Sequence, residues 1–268
     1  MTEECSMSNG LVRYRVERGV ATLTLANPPA NAYSYPMMRD LDEAVLLARF
    51  DAAAHVIVVT GAGLDIFCAG ADIAMLSAAE ATFKYYFCLH ANETLSRLEQ
   101  TPKLVIAALN GSTVGGGLEL ALAADLRVAR AGSFKYGLPE VALGVLPGTG
   151  GTQRLARVVG RSKAIRLMAE GSLFDGATAV SLGLVDELWE GDDFAARVQT
   201  YAERFCPPGR ASLAVGRIKR AVQTGLEIPL ESGLALEREL QAELFASADA
   251  HEGLAAYRER RPPAFSGR

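Results

Sequence analysis

Hydrophobic positions along the chain change period several times, and each change marks an element. Residues 11–17 (LVRYRVE) and 20–25 (VATLTL) alternate apolar with polar and are split by Arg18-Gly19, which predicts a β-hairpin. The prolines and asparagines of NPPANAYSYP (27–36) interrupt both helix and ladder and predict a loop. Met38, Leu41, Ala44, Val45 and Ala48 return at helical spacing, predicting a helix over 37–50. HVIVVTG (55–61) and KLVIAAL (103–109) are continuous apolar runs of the kind a buried strand needs, with a loop over 63–73 and a long helix over 79–99 between them. A glycine-led apolar segment then predicts a helix from Gly115, followed by short strands at 126–130 and 133–137. Beyond Gly148 the spacing is helical over 151–159, 161–170, 176–182, 193–205, 209–225, 230–246 and 250–260, with one late strand at 184–189. Strands and helices alternate to about residue 190 and helices dominate after it, so the expected class is α/β with a helical C-terminal region. Cys206-Pro207-Pro208-Gly209 is the best boundary, dividing a core over 1–205 from a C-terminal part over 206–268.

Composition narrows the function classes. Half of the 268 residues are apolar and the net charge is −4, with no basic block that would suit nucleic acid. Cys5, Cys68, Cys88 and Cys206 show no paired spacing and read as reduced thiols of a cytoplasmic protein. The N-terminal MTEECSMSNG is polar and acidic, unlike a targeting peptide. The most apolar run, 104–126, is broken by Asn110, Glu119, Asp125 and four glycines, which argues against a membrane span.

Several motifs fail on inspection. VIVVTGAGLDI (56–66) has a strand followed by GxG, but Ile66 holds the third glycine position and no helix begins there. PGTGGT (147–152) lacks the GK[ST] ending of a phosphate loop, and there is no GxSxG elbow. His55, His90 and His251 are scattered without metal-ligand spacing and read as surface or packing residues, so no metal site is expected. Glu119 and, 21 positions on, Glu140 are different. Taken singly, Glu119 could be a polar position on a wet helix face, and Glu140 an ordinary first-turn acid after proline. Both follow Gly115 to Gly117, where unsatisfied helix N–H groups could hold a developing oxyanion while two nearby carboxylates move protons.

FCAGADI (67–73), NGSTVGGGLELALAAD (110–125) and YGLPEVALGVLPGTGGTQRL (136–155), in that order, resemble the crotonase superfamily, the enoyl-CoA hydratases and isomerases. NPPANAYS, GLVDE (183–187) and EGLAAYRERRPPAF (252–265) extend the likeness over nearly the whole chain. The resemblance implies a spiral of ββα units with a C-terminal helical region that covers coenzyme A and builds a trimer or a dimer of trimers. It implies an acyl-CoA thioester as substrate, coenzyme A arriving with that substrate, and no separate cofactor. By motif match, Ala71 and Gly116 supply the two backbone N–H groups of an oxyanion hole, Glu119 the base, Glu140 the proton donor, and Gly148 a backbone contact to water. Ala30, Ala69, Asp72 and Ile73 match positions that embrace coenzyme A, and Tyr257 and Arg260 match groups near its adenine and phosphates, often supplied by a neighbouring subunit.

The implied activity is that of an enoyl-CoA hydratase, adding water reversibly and syn across a trans-2-enoyl-CoA. Another crotonase-fold acyl-CoA enzyme, an isomerase or decarboxylase, is the alternative; a coenzyme A-binding scaffold is a third reading, opposed by the intact acid pair. The chain departs from the family pattern at Pro29, where a basic residue is common, in NGST (110–113), at Tyr136, and by one extra residue near Ala131-Gly132. The Pro29 departure implies that one phosphate contact to coenzyme A is missing or replaced; none of the departures removes a catalytic group, and they leave the acyl pocket undefined. The helix carrying Phe83, Tyr85, Tyr86 and Phe87 is expected to line that pocket.

Overall fold

In the computed structural model, which describes residues 4–268, the chain winds through successive turns that each lay one strand in a large sheet and one in a small sheet. The large sheet contains β1 (Cys5–Ser6), β2 (Val12–Glu17), β3 (Val20–Leu25), β4 (Val56–Gly61), β6 (Leu104–Leu109), β8 (Leu126–Arg130) and β10 (Glu187–Trp189), in that spatial order. The small sheet contains β5 (Ile66–Cys68), β7 (Ser112–Val114) and β9 (Tyr136–Gly137). Pairing from β3 onward is parallel in both sheets, whereas β1, β2 and β3 are antiparallel. Isolated bridges extend the small sheet, Tyr33 to Ala71 at one end and Tyr136 to Phe174 at the other. This is the crotonase-type spiral of ββα units. The first three residues of the expected core region lie outside the described residues.

Helices close each turn: α1 (Tyr35–Phe50), α2 (Ile73–Ala78), α3 (Ala81–Gln100) and α4 (Gly116–Leu122). The strands β4 and β6 are apolar on both faces because both are covered. Ile57, Val59, Val105, Ala107 and Leu109 pack beneath α1 and α3, while Val56, Val58, Ile106 and Ala108 meet Trp189, Phe194 and Val198 on the opposite face.

The remaining helices are α5 (Gly151–Val159), α6 (Arg161–Glu170), α7 (Gly176–Ser181), α8 (Phe194–Glu203), α9 (Ser212–Gly225), α10 (Leu230–Phe245) and α11 (Ala248–Glu259). Lys219 fixes α9 to the sheet: its Nζ lies 2.8 Å from Asp125 Oδ2 and donates to Lys103 O at 3.0 Å. Among the described residues no helix is long and apolar enough to cross a membrane.

One segment expected as a loop, and one with no expected element, hold strands. β5 lies inside 63–73, and β7 occupies the NGST segment that had no assigned element. Each is three residues long, too short to show alternation, and each gains its partners from a distant turn. The final strand expected at 184–189 begins only at Glu187.

Candidate active site

Asn110 ends β6 by bonding across to β4: its Nδ2 donates to Gly61 O at 3.0 Å and Gly63 O at 2.8 Å, and its Oδ1 accepts from Gly61 N at 3.0 Å. The chain then turns through Gly111, where a Cβ would lie 2.1 Å from the Asp65 backbone, so the two turns touch main chain to main chain. β7 follows and delivers Gly115 to Gly117 to the junction of the two sheets.

Each of these glycines is required for its own reason. Gly115 has φ +56°, a conformation that costs other residues strain. A Cβ on Gly116 would fall 2.1 Å from the Tyr33 ring, and one on Gly117 would fall 2.1 Å from Cys68 O.

Segment 69–72 lies against this turn. Ala69 donates to Ala30 O at 3.0 Å, Tyr33 N–H donates to Gly70 O at 2.9 Å, and Asp72 N–H donates to Tyr33 O at 3.0 Å. In a parallel bridge alternate residues face opposite sides, so Ala71 turns its own N–H away from Tyr33. A Cβ on Gly70 would lie 3.2 Å from Gly116 N, which places the two backbones side by side. Neither Ala71 N–H nor Gly116 N–H donates to any group among the described residues. Asp72 caps α2 with one carboxylate oxygen, its Oδ1 accepting Met75 N–H at 2.8 Å. Ile73 opens α2 and is exposed.

Glu119 is buried, only 2% exposed, on a helix with no wet face. Its Oε1 accepts Thr149 N–H at 2.8 Å and Gly151 N–H at 2.7 Å, and its Oε2 accepts the Thr149 hydroxyl. These donors stand at the start of α5, whose dipole also favours negative charge there. Glu140 begins a single 3₁₀ turn, Glu140–Leu143, and its Oε1 would lie 3.1 Å from a Cβ on Gly115. Its Oε2 is buried with no hydrogen-bond partner. Burial pushes the Glu140 carboxyl up to about 7; the Glu119 charge adds to the rise, while its own backbone N–H and Lys84 oppose it. The two acids therefore share Gly115 as neighbour but not an environment. Gly148 is the third backbone position expected here: no group among the described residues accepts its N–H, and a Cβ on it would meet Cys88 Sγ at 3.0 Å.

Tyr257 and Arg260 are not gathered into this cluster within one chain. Tyr257 is 86% exposed, and Arg260 ends α11 at φ +54°. The start of α11 is tied through Asp249 to Ser266 and Gly267, beside His55 at the beginning of β4, whereas the acids sit beyond its other end. The aromatic cluster on α3 divides. Phe87 is buried 5.8 Å from the Tyr33 ring and stacks with Phe83, while Tyr85 and Tyr86 are exposed.

Sequence reasoning missed Asn31 and Tyr33, which the NPPANAYS loop conceals. Asn31 is buried at φ +47° and donates from Nδ2 to Ala62 O and Ile66 O, both at 2.9 Å. It thereby pins the loop that presents Tyr33. An asparagine and a tyrosine inside a proline-rich loop are the signal the sequence offered.

A spiral of ββα turns that gathers two acids and two free N–H groups around a glycine-led helix defines an enzyme of the crotonase superfamily. The chain belongs to the enoyl-CoA hydratase/isomerase family, whose family model matches residues 15–268. It is 34% identical over 250 residues to a crotonyl-CoA hydratase of Syntrophomonas wolfei, spanning 93% of this chain and 95% of that one. It is 36% identical over 241 residues to the mitochondrial methylglutaconyl-CoA hydratase of Mus musculus, spanning 88% and 76%. An enoyl-CoA hydratase structure from Geobacillus kaustophilus superposes with a TM-score of 0.95, at 40% identity, over 99% of each chain.

Proposed function

We propose that the protein is an enoyl-CoA hydratase that adds water syn across a trans-2-enoyl-CoA to give a 3-hydroxyacyl-CoA. The observation that carries this reading is the unequal pair. Glu119 is met by three donors, as suits a carboxylate, whereas Glu140, raised to about 7, keeps a proton on much of the population near neutrality. One acid held by three donors and one whose proton is retained by burial supply a base and an acid.

The thioester oxygen accepts the N–H groups of Ala71 and Gly116. Glu119 takes a proton from water as the water oxygen bonds to the β-carbon, and the π electrons move onto the thioester oxygen as an enolate. One prepositioned donor to such an oxyanion is worth about 3–4 kcal/mol. The enolate collapses as the α-carbon takes the Glu140 proton. Glu119, now protonated, gives its proton up to solvent and the deprotonated Glu140 takes one back, which resets the site. Gly148 N–H holds the water, and Ala30, Ala69, Asp72 and Ile73 receive the pantetheine through their backbones.

Coenzyme A comes and goes with the acyl group, and the protein needs no metal or redox partner. The exposed apolar residues Leu143, Val145 and Leu146, directly after Glu140, together with Ile165 and Leu173, suit burial in a homo-oligomer, a trimer or a pair of trimers. In such an assembly Tyr257 and Arg260 would serve a neighbour's adenine and phosphates. The cytoplasm, where acyl-CoA thioesters and reduced thiols coexist, is the matching compartment. The division into a 1–205 core and a 206–268 assembly region belongs to the same reading.

Loss of enoyl-thioester ultraviolet absorbance with crotonyl-CoA, beside a longer and a branched enoyl-CoA, tests the reaction. Loss of absorbance with a mass gain of one water supports hydration. Binding without loss would transfer the assignment to an isomerase or decarboxylase.

A further inference from the structure

Backbone N–H groups already hold Oε1 of Glu119, so the Thr149 hydroxyl on Oε2 is an addition that the loop alone does not demand. Its direction can be worked out. As the base of the proposed reaction Glu119 accepts, so the single Thr149 hydroxyl proton points at its Oε2. The Thr149 oxygen can then only accept from Tyr33, whose hydroxyl lies 3.0 Å away. The chain runs Tyr33 O–H to Thr149 Oγ1, and Thr149 O–H to Glu119 Oε2. It is closed to solvent: Tyr33 is 4% exposed, and burial, with the Glu119 charge behind it, keeps its phenol protonated well above the ordinary range.

Tyr33 also touches the other half of the site. Its ring fills the space that a Gly116 Cβ would need and packs on Phe87, while its backbone N–H and C=O bond Gly70 and Asp72 on either side of Ala71. One residue thus braces both free N–H groups with its main chain and ring, and the base with its hydroxyl.

We propose that Tyr33 is a positioning residue that fixes the rotation of the Glu119 carboxylate through Thr149. The terminal torsion of a glutamate is broad when unconstrained. With one Oε2 lone pair occupied by the hydroxyl chain, the other is aimed into the site for the attacking water. This inference rests on the hydration reading.

The test is a double-mutant cycle. Tyr33→Phe keeps the ring against Gly116 and removes only the hydroxyl; Thr149→Val removes the donor and keeps the backbone N–H. Each single variant is expected to lower kcat about ten-fold with KM within two-fold, the scale of a hydrogen bond to a charged group. The double variant is expected to fall no further than the worse single, and Thr149→Ser to restore kcat. Multiplying losses, an unchanged kcat in Tyr33→Phe, or a rise confined to KM would overturn the proposal. Thermal unfolding of the same four proteins reads the hydroxyl chain without turnover. A wild type that binds but does not hydrate, with coupled unfolding shifts, overturns the hydration reading and leaves the chain standing; uncoupled shifts overturn the chain itself.

Discussion

Thr149 meets Glu119 twice, giving its backbone N–H to Oε1 at 2.8 Å and its hydroxyl to Oε2. With Gly151 N–H at 2.7 Å, this turns the start of α5 into a socket for one carboxylate. Glu140, across Gly115, has no such socket, and its Oε2 is left without a partner. The contrast in hydrogen bonding, more than the presence of two acids, gives the site direction.

Removing the charge inside that socket isolates the base. Glu119→Gln keeps the shape, but its amide N–H₂ faces donors and cannot take a proton from water. We expect kcat for crotonyl-CoA to fall by about three orders of magnitude, in the range of general-base catalysis, with acyl-CoA affinity little changed. Steady-state kinetics beside a displacement assay checks both halves. Near-wild-type turnover would remove Glu119 from the mechanism.

Glu140 predicts a pH dependence. Burial raises its carboxyl to about 7, so the proton it delivers is lost as pH climbs through that value, and kcat should decline on the alkaline side. Lys84 opposes the rise, so Lys84→Met should carry the alkaline limb to higher pH. Stability follows the opposite sense from a salt-bridged acid. The folded state holds this proton more tightly than the unfolded chain, so folding loses stability as pH rises from about 4.5 through about 7. Glu140→Gln should therefore be neutral near pH 4 and raise the unfolding temperature at pH 8, as differential scanning calorimetry at the two pH values would record.

The adjacent glycines separate steric from chemical roles. A Cβ on Gly117 meets the backbone oxygen of Cys68 at 2.1 Å, and a backbone held in β5 has nowhere to go. Overpacking of this kind costs about 1–3 kcal/mol or more, so Gly117→Ala should lower the melting temperature by roughly 3–10 °C. Gly116→Ala collides with a side chain instead, the Tyr33 ring. Pairing Gly116→Ala with Tyr33→Ala should recover much of the stability but not the activity, because the double variant lacks the brace on Glu119. Recovery of activity along with stability would reduce Tyr33 to a spacer.

Much of this architecture is written in periodicity. The helices expected at 151–159 and 161–170 form with those bounds, because strong spacing and terminal glycines act locally. The small sheet is different. β5, β7 and β9 are two or three residues long, and their pairing comes from other turns of the spiral. The acids and the glycine triplet were visible as residues, but the reasons for them were not. The Cys68 carbonyl against Gly117 and the Tyr33 ring against Gly116 are tertiary contacts across tens of residues. A loop reading of NPPANAYS correctly located irregular backbone, yet it had no means of showing that Tyr33 returns to the acid.

That loop supplies the last prediction. Asn31 sits at φ +47°, a region asparagine enters more readily than most residues, and its amide also satisfies the carbonyls of Ala62 and Ile66 while its Oδ1 accepts Asn27 N–H at 3.2 Å. Backbone and side chain give separable contributions. Asn31→Ala loses both, whereas Asn31→Gly relieves the backbone and still leaves two carbonyls without a donor. An unmet buried group costs about 1–3 kcal/mol, so both variants should unfold several degrees earlier, with glycine recovering only a small part of the loss. Because Tyr33 lies two residues on and carries the brace on Ala71 and Glu119, kcat should fall in both variants beyond any change in KM. Full recovery in Asn31→Gly would mean that the turn geometry alone presents Tyr33, and that the amide clamp is dispensable.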